Sequence, residues 1–253
     1  MKITLLGTGT SQGVPVIACN CEVCMSTNPK DKRLRSSVMV QVDGKTIVID
    51  TGPDFRQQML RENVQQLDAI LFTHEHKDHI AGLDDIRAFN YITKQPMDVY
   101  AEERVKVALQ REFAYVFAEF KYPGIPEMNI HTFENKLFHI HQIPVLPIRT
   151  FHYKLPIFGF RIGNFSYITD TSSIEKEELE KIKNSDVLII TALRHKKHIS
   201  HFNLEEALQI IEEVKPKKAY LTHISHLLGL HNVTSKILPP NVEMAWDGLS
   251  FNL

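Results

Sequence analysis

The segment Thr73-His74-Glu75-His76-Lys77-Asp78-His79 follows directly on the apolar run Ala69-Ile70-Leu71-Phe72. The order His-x-His-x-Asp-His crowds imidazoles and a carboxylate onto the end of what reads as a buried strand. His and Asp are poor core residues and have no packing reason to gather there. Neutral imidazole and carboxylate are the ligands that borderline divalent cations such as zinc take. The strand must therefore be buried, and its C-terminal end must open where other segments can complete a site.

Other strands carry the same kind of ending. Ile49 leads to Asp50-Thr51-Gly52, Phe151 to His152, Ile168 to Thr169-Asp170-Thr171, and Leu221 to Thr222-His223. His152 alone reads more readily as a satisfied structural histidine; five similar strand ends in one chain make it a ligand candidate. Around these points apolar runs and helical patterns alternate. Strands are expected at Ile3 to Leu6, at Ser37 to Val42 and Thr46 to Asp50 around the hairpin signal Asp43-Gly44, and at Ala69 to Thr73. Helices are expected from Ile80 to about Tyr91 and from Glu102 to about Glu119. The span Ile130 to Thr169 reads as mainly strand. Beyond it, helices near Glu175–Lys183 and Asn203–Val214 alternate with strands at Val187–Thr191 and Ala219–Thr222. Strands at Val242–Trp246 and Leu249–Asn252 close the chain.

This order suits an α/β fold of sheets covered by helices. With 253 residues, no long linker and no short repeat, the economical reading is one domain over 1–253 with two similar halves. A 43% hydrophobic share with 23% charged residues is ordinary for a globular protein, which excludes general disorder. A net charge of -1 supplies no basic field for nucleic acid or for an acidic membrane surface. The start, Met1 to Gly7, is too short and too quickly polar for a signal or a membrane span, so a cytoplasmic location is expected. Three cysteines, Cys19, Cys21 and Cys24, lie in one loop. In a reducing compartment that clustering suggests metal over a disulfide; the other reading is buried or redox-labile thiols.

His74-x-His76-x-Asp78-His79, followed in order by His152, Asp170 and His223, resembles the metallo-β-lactamase-fold hydrolases over essentially the whole chain. The resemblance implies a four-layer αβ/βα sandwich with two metals at the sheet edges. It gives His74, His76 and His152 to one cation, Asp78, His79 and His223 to the other, and Asp170 to the bridge. Asp50 would orient ligands from behind through hydrogen bonds. An aspartate at 170 points to the phosphodiesterase and thioesterase branches. The implied chemistry is attack by a hydroxide held between two divalent ions, zinc or manganese, with iron also compatible with such ligands.

Cys19-x-Cys21-x-x-Cys24 sits downstream of Gly7-Thr8-Gly9 and Gln12-Gly13-Val14-Pro15-Val16. Together with Thr222-His223-Ile224-Ser225-His226, it resembles the PhnP-type cyclic-phosphate phosphodiesterases. That branch implies a structural zinc on Cys19, Cys21, Cys24 and His226. It also implies a small phosphodiester substrate of the ribosyl 1,2-cyclic phosphate type and a homodimer. Within Arg194-His195-Lys196-Lys197-His198-Ile199-Ser200-His201-Phe202-Asn203-Leu204, the resemblance makes His201 the catalytic imidazole that helps protonate the leaving group, alongside Asp78. An unperturbed imidazole pKa near neutrality would suit that work. His195 and His198 read as surface residues. Arg194, Lys196 and Lys197 read as a solvated basic patch or as phosphate contacts.

Three other readings share these motifs. An RNase Z-like nuclease would want a basic arm between His152 and Asp170, where the sequence reads as one hairpin. A thioester or lactone hydrolase leaves the cysteine cluster unexplained. A non-catalytic metal-binding protein of the same fold would be expected to have lost ligands. The aromatic residues Phe113, Tyr115, Phe117 and Phe120 read as one helix face, either core or the wall of a substrate mouth or dimer contact. Trp246 reads as packing.

Overall fold

The computed structural model describes residues 1–120 and 122–253. Its first sheet contains β1 (Lys2–Gly7), β2 (Ser37–Val42), β3 (Lys45–Ile49), β4 (Ala69–Leu71), β5 (Met97–Ala101) and β6 (Met128–Thr132), side by side in that order. The second is built from β7 (Phe138–Ile140), β8 (Ile143–His152), β9 (Leu155–Ile162), β10 (Phe165–Ile168), β11 (Ser173–Ile174), β12 (Val187–Thr191), β13 (Lys218–Thr222) and β14 (Val242–Met244). Its order is β11-β8-β9-β10-β12-β13-β14, with β7 paired to β8. The last strand, β15 (Ser250–Asn252), returns to the outer edge of β1.

The two sheets repeat one plan. β1-β2-β3 are antiparallel neighbours, and β4, β5 and β6 then continue the sheet in parallel. β8-β9-β10 are likewise antiparallel, and β12, β13 and β14 follow in parallel. Period-two side-chain alternation explains how each sheet buries both faces. Ile47 and Ile49 of β3, and Val187 and Ile189 of β12, enter the core shared by the two sheets. Val48, between the first pair, faces the outer helices of its sheet. Leu188 and Ile190 do the same on the second sheet.

Those outer layers are made of helices. α1 (Glu22–Met25) belongs to the cysteine loop. α2 (Phe55–Arg61), α3 (Lys77–Ile80), α4 (Arg87–Thr93) and α5 (Glu103–Glu112) accompany the first sheet. α6 (Lys176–Ile182) and α7 (Leu204–Val214) cover the second, and α8 (His231–Thr234) lies before β14. The result is the expected αβ/βα sandwich. α7 starts as the sequence suggests: Glu206 N–H donates to Asn203 Oδ1 at 2.9 Å, and Asn203 N–H donates to Glu206 Oε2 at 3.0 Å. This reciprocal cap satisfies two otherwise free helix-end donors.

Two expected helices are shorter. The one from Ile80 is broken into α3, a 3₁₀ turn at Leu83–Ile86, and α4. The break falls at Gly82, whose N–H donates to the Thr51 carbonyl at 2.8 Å; a Cβ there would stand 2.1 Å from the carbonyl oxygen of Gly52, so this close approach needs glycine. The helix expected to reach Glu119 stops at Glu112, where Phe113 adopts φ -115°, ψ 39° and a 3₁₀ turn follows. The aromatics therefore do not form one face: Phe113 is buried, while Phe120 is 83% exposed.

Candidate metal centres

Strand C-termini of both sheets converge at one end of the sandwich. β3 delivers Asp50, β4 the loop His74–His79, β8 ends on His152, β10 leads to Asp170 and β13 to His223. Asp50, Asp170 and His223 all take left-handed backbone conformations, with φ of 66°, 59° and 55°. Such conformations are costly for residues with a Cβ and persist where surrounding contacts hold them. Here they turn each side chain back across the strand ends.

Asp170 is the common point. Its Oδ1 lies 2.9 Å from His223 Nδ1 and 3.3 Å from His79 Nε2, and its Oδ2 lies 3.8 Å from His74 Nε2. Asp78 Oδ2 is 3.2 Å from His79 Nε2. Groups with ligand atoms within 4.8 Å of one another are His74–His79–Asp170, Asp78–Asp170–His223 and His152–Asp170–His201. His79 thus stands beside His74, with ring centroids 4.1 Å apart, as well as beside Asp78, and His201 comes in with His152. His76 joins through ring contacts, 4.7 Å from His74 and 5.0 Å from His152. His74 and His79 are buried, whereas His76 is exposed and His152 half-buried, so the site opens on the latter side.

The ligands are held from behind. Asp50 accepts from Thr73 N–H at 2.9 Å and from Thr73 Oγ1 at 2.8 Å, and its Oδ2 lies 2.7 Å from His79 Nδ1. His79 therefore carries its proton on Nδ1 and turns Nε2 to the site. His152 is fixed likewise by the Asp170 carbonyl, 2.8 Å from its Nδ1. His74 Nδ1 meets Thr73 Oγ1 at 2.9 Å. Sequence reasoning missed Thr10 and Ser36, whose hydroxyls lie 3.2 Å from the two ring nitrogens of His223. It also missed Gly52, where a Cβ would come 2.1 Å from the Asp78 carbonyl oxygen. No local spacing signals these contacts; the Asp-Thr-Gly tripeptide was the one available hint.

The donor set fits cations. Nε2 of His74 and of His79 is buried without a hydrogen-bond partner. Such orphaned nitrogens are costly unless something binds them. Burial opposes a charge on His79, yet Asp170, Asp78 and Asp50 outweigh it and hold its pKa well above the ordinary value. Burial likewise opposes ionisation of Asp170, but His223 and His79 hold its carboxyl well below the usual range. Asp78 and Asp170 thus face a pocket that calls for positive charge, with Asp50 behind it. Burial pushes His74 the other way, keeping it neutral as a ligand must be.

The cysteine cluster forms as expected. Cys19, Cys21 and Cys24 Sγ lie 3.3, 3.2 and 3.5 Å from His226 Nδ1. Ligands arranged tetrahedrally at usual zinc bond lengths stand about 3.5 Å apart, so these four groups fit zinc. The Cys24 backbone N–H and His226 lower the Cys21 pKa to about 6, while burial pushes Cys24 up to about 11.

His201 hangs over the site on the loop between β12 and α7. Its ring lies 4.6 Å from His152 and 4.8 Å from His223. Burial, helped by His223, depresses its pKa to about 2, well away from the near-neutral value expected of a free imidazole. An anionic oxygen beside the ring would raise it again.

A family model of the beta-lactamase superfamily domain matches residues 45–224. The octanoyltransferase of Porphyromonas gingivalis is 40% identical over 252 residues, 98% of this chain and 51% of that protein. A ribonuclease Z of Nostoc sp. is 28% identical over 167 residues, 64% of this chain and 46% of that enzyme. The chain thus spans about half the length of these curated relatives. Among solved structures, a diphosphatase from the PhnP family is 42% identical with a TM-score of 0.93, covering 100% of this chain and 97% of that one. The chain belongs to the metallo-β-lactamase superfamily, as a PhnP-like member.

Proposed function

We propose that this protein is a two-metal hydrolase that cleaves a P–O bond in a small phosphate substrate, with cyclic phosphodiesters of the ribosyl 1,2-cyclic phosphate type the leading class. The observation that carries it is the position of Asp170, whose carboxylate meets imidazoles from both sheets while His74 and His79 present unpartnered nitrogens. His74, His76 and His152 would hold one cation, Asp78, His79 and His223 the other, with Asp170 between them; Cys19, Cys21, Cys24 and His226 would hold a structural zinc. Bound cations supply positive charge for oxygens that gain charge at phosphorus, and lower the proton affinity of water.

The chain's residues do the rest. Asp50, Thr73 and the Asp170 carbonyl fix which nitrogen His79, His74 and His152 offer. The exposed side at His76 and His152 admits substrate. A water oxygen bonds to phosphorus as the bond to the leaving oxygen breaks with its electron pair. The proton the water loses balances the one the leaving oxygen gains, and His201 is the imidazole placed to hand it across. A diphosphate linkage passes through the same changes, and the diphosphatase neighbour favours it as the second reading.

A small substrate is favoured over tRNA because His152 and Asp170 are joined only by the hairpin β9–β10. For octanoyl chemistry, this chain matches only half of the Porphyromonas protein, so the name is open to either half.

The test is hydrolysis, followed by phosphorus NMR, of ribose 1,2-cyclic phosphate 5-phosphate, 2′,3′-cyclic nucleotides and ADP, with an octanoyl thioester alongside. Opening of a cyclic ester, abolished by Asp170→Ala with the fold retained, supports the proposal. Turnover of the thioester alone refutes it.

A further inference from the structure

In the loop carrying His201, two of the cationic residues, Arg194 and Lys197, are already engaged within the fold. The Arg194 guanidinium donates to the carbonyls of Lys196 at 3.1 Å and Lys197 at 2.9 Å. Lys197 Nζ stands 3.6 Å from Glu206. His195 Nε2 is tied to the Leu228 carbonyl at 3.0 Å. The ends of the loop are pinned by Leu193 N–H to the Phe202 carbonyl at 3.0 Å, Phe202 N–H to the Thr171 carbonyl at 2.6 Å, and Leu204 N–H to the Arg194 carbonyl at 3.0 Å. Asn203 Nδ2 donates to the His195 carbonyl at 3.0 Å. Arg194 is thus a loop staple rather than part of a solvated patch.

His198 is treated differently. It is half-buried, and its ring lies 5.1 Å from that of His201, tilted by 32°. A row of imidazoles therefore runs from the rim inward: His198, His201, then His152 and His223. The Ser200 N–H donates to His198 Nδ1 at 3.3 Å, and the Ser200 hydroxyl stands 3.2 Å from the same nitrogen. An N–H can only donate, so Nδ1 is an acceptor and the proton of the neutral ring sits on Nε2. Among the described residues, no hydrogen-bond partner is found for Nε2.

We infer that His198 is a substrate-binding residue: its Nε2–H, oriented by Ser200, donates to a non-bridging phosphate oxygen of a substrate lying against His201. The inference rests on the phosphate reading above and deepens it. His201 serves the leaving oxygen, while His198 grips an oxygen that stays on phosphorus. Burial and the neighbouring Arg194 depress the His198 pKa, which suits a neutral donor. A preorganised loop matters because the hydrogen bond then forms without first ordering the side chain.

The test uses the full chain loaded with zinc, comparing wild type with His198→Ala and His198→Gln. Binding of inorganic phosphate is measured by calorimetry, kcat and KM for 2′,3′-cyclic AMP are measured, and metal content is assayed in each. A hydrogen bond to a charged oxygen is worth about a ten- to hundredfold change in affinity. His198→Ala should weaken phosphate binding and raise KM by that factor, with kcat changed less and metal content unaltered. His198→Gln, which keeps an amide donor, should recover much of the loss. Equal phosphate affinity in wild type and His198→Ala overturns the inference. Failure of the wild type to bind phosphate overturns it too. Phosphate binding without turnover of the cyclic ester would instead sink the substrate reading alone.

Discussion

At the scale of single residues, the site depends on side chains that never need to touch a substrate. Asp50 collects two donors from Thr73 and the Nδ1 proton of His79, all from a left-handed backbone position at the end of β3. Asparagine tolerates that backbone and keeps the shape, but its amide cannot supply the charge or accept at both atoms. Asp50→Asn is expected to fold normally and to lose roughly 10- to 100-fold in active-site metal affinity, read by titration against a chromogenic chelator. Wild-type affinity in this variant would show that Asp50 is dispensable for holding His79. His74, His76, Asp78 and His79 were legible because they crowd into six positions at one strand end. Asp170 was legible only because a strand precedes it. Thr10 and Ser36 were not, since each reaches His223 from far along the chain and a lone hydroxyl carries no pattern.

Among elements, the His loop and the second sheet are joined by charge. Glu75 lies between His74 and His76, and its carboxylate pairs with Arg104 at the start of α5. Arg104 also donates to the Pro156 carbonyl on β9. It approaches Glu102 at 3.5 Å, and Glu102 pairs with Arg149 of β8 at 2.6 Å. The Arg149 guanidinium lies over Phe158, 3.7 Å from the ring centroid. β8 ends on His152 three residues later, so this row of ions spans the gap across which His76 and His152 must meet. The pairs are partly exposed, and losing one costs only about 1 kcal/mol of stability. Arg104→Ala should therefore melt close to wild type yet bind one active-site cation about tenfold more weakly, with partial rescue in Arg104→Lys. Unchanged affinity for both cations would limit the network to stability. The sequence offers no hint of this row, because ionic contacts between distant segments leave no periodicity. Strands were readable as short apolar runs, and α7 as a helical pattern starting at Asn203. The break at Gly82 was not, because the Thr51–Gly52 backbone it docks against is remote in sequence.

Taken as a whole, the molecule presents one plan twice. Asp50-Thr51 after β3 corresponds in station and backbone to Asp170-Thr171 after β10, yet one carboxylate lies behind the ligands and the other among them. The cysteine loop adds an unduplicated tie. His226 of that cluster is three residues from His223 of the site, and the Gly9-Thr10 turn pairs with Ile224 between them. If the cluster holds zinc as proposed, Cys21→Ser should release it, lower Tm by roughly 10 °C, and cost activity through His223. Asp170→Asn, which tolerates the left-handed backbone, should spare Tm while ending turnover. A Cys21→Ser protein with wild-type activity would uncouple the two centres. The ligand types also differ in kind: three thiolates favour zinc over manganese, whereas imidazole and carboxylate accept either. A cell rich in manganese but starved of zinc could therefore fill the reactive centre and still leave the loop behind His223 untied. Nutritional rescue of this protein would then require the metal that does no chemistry.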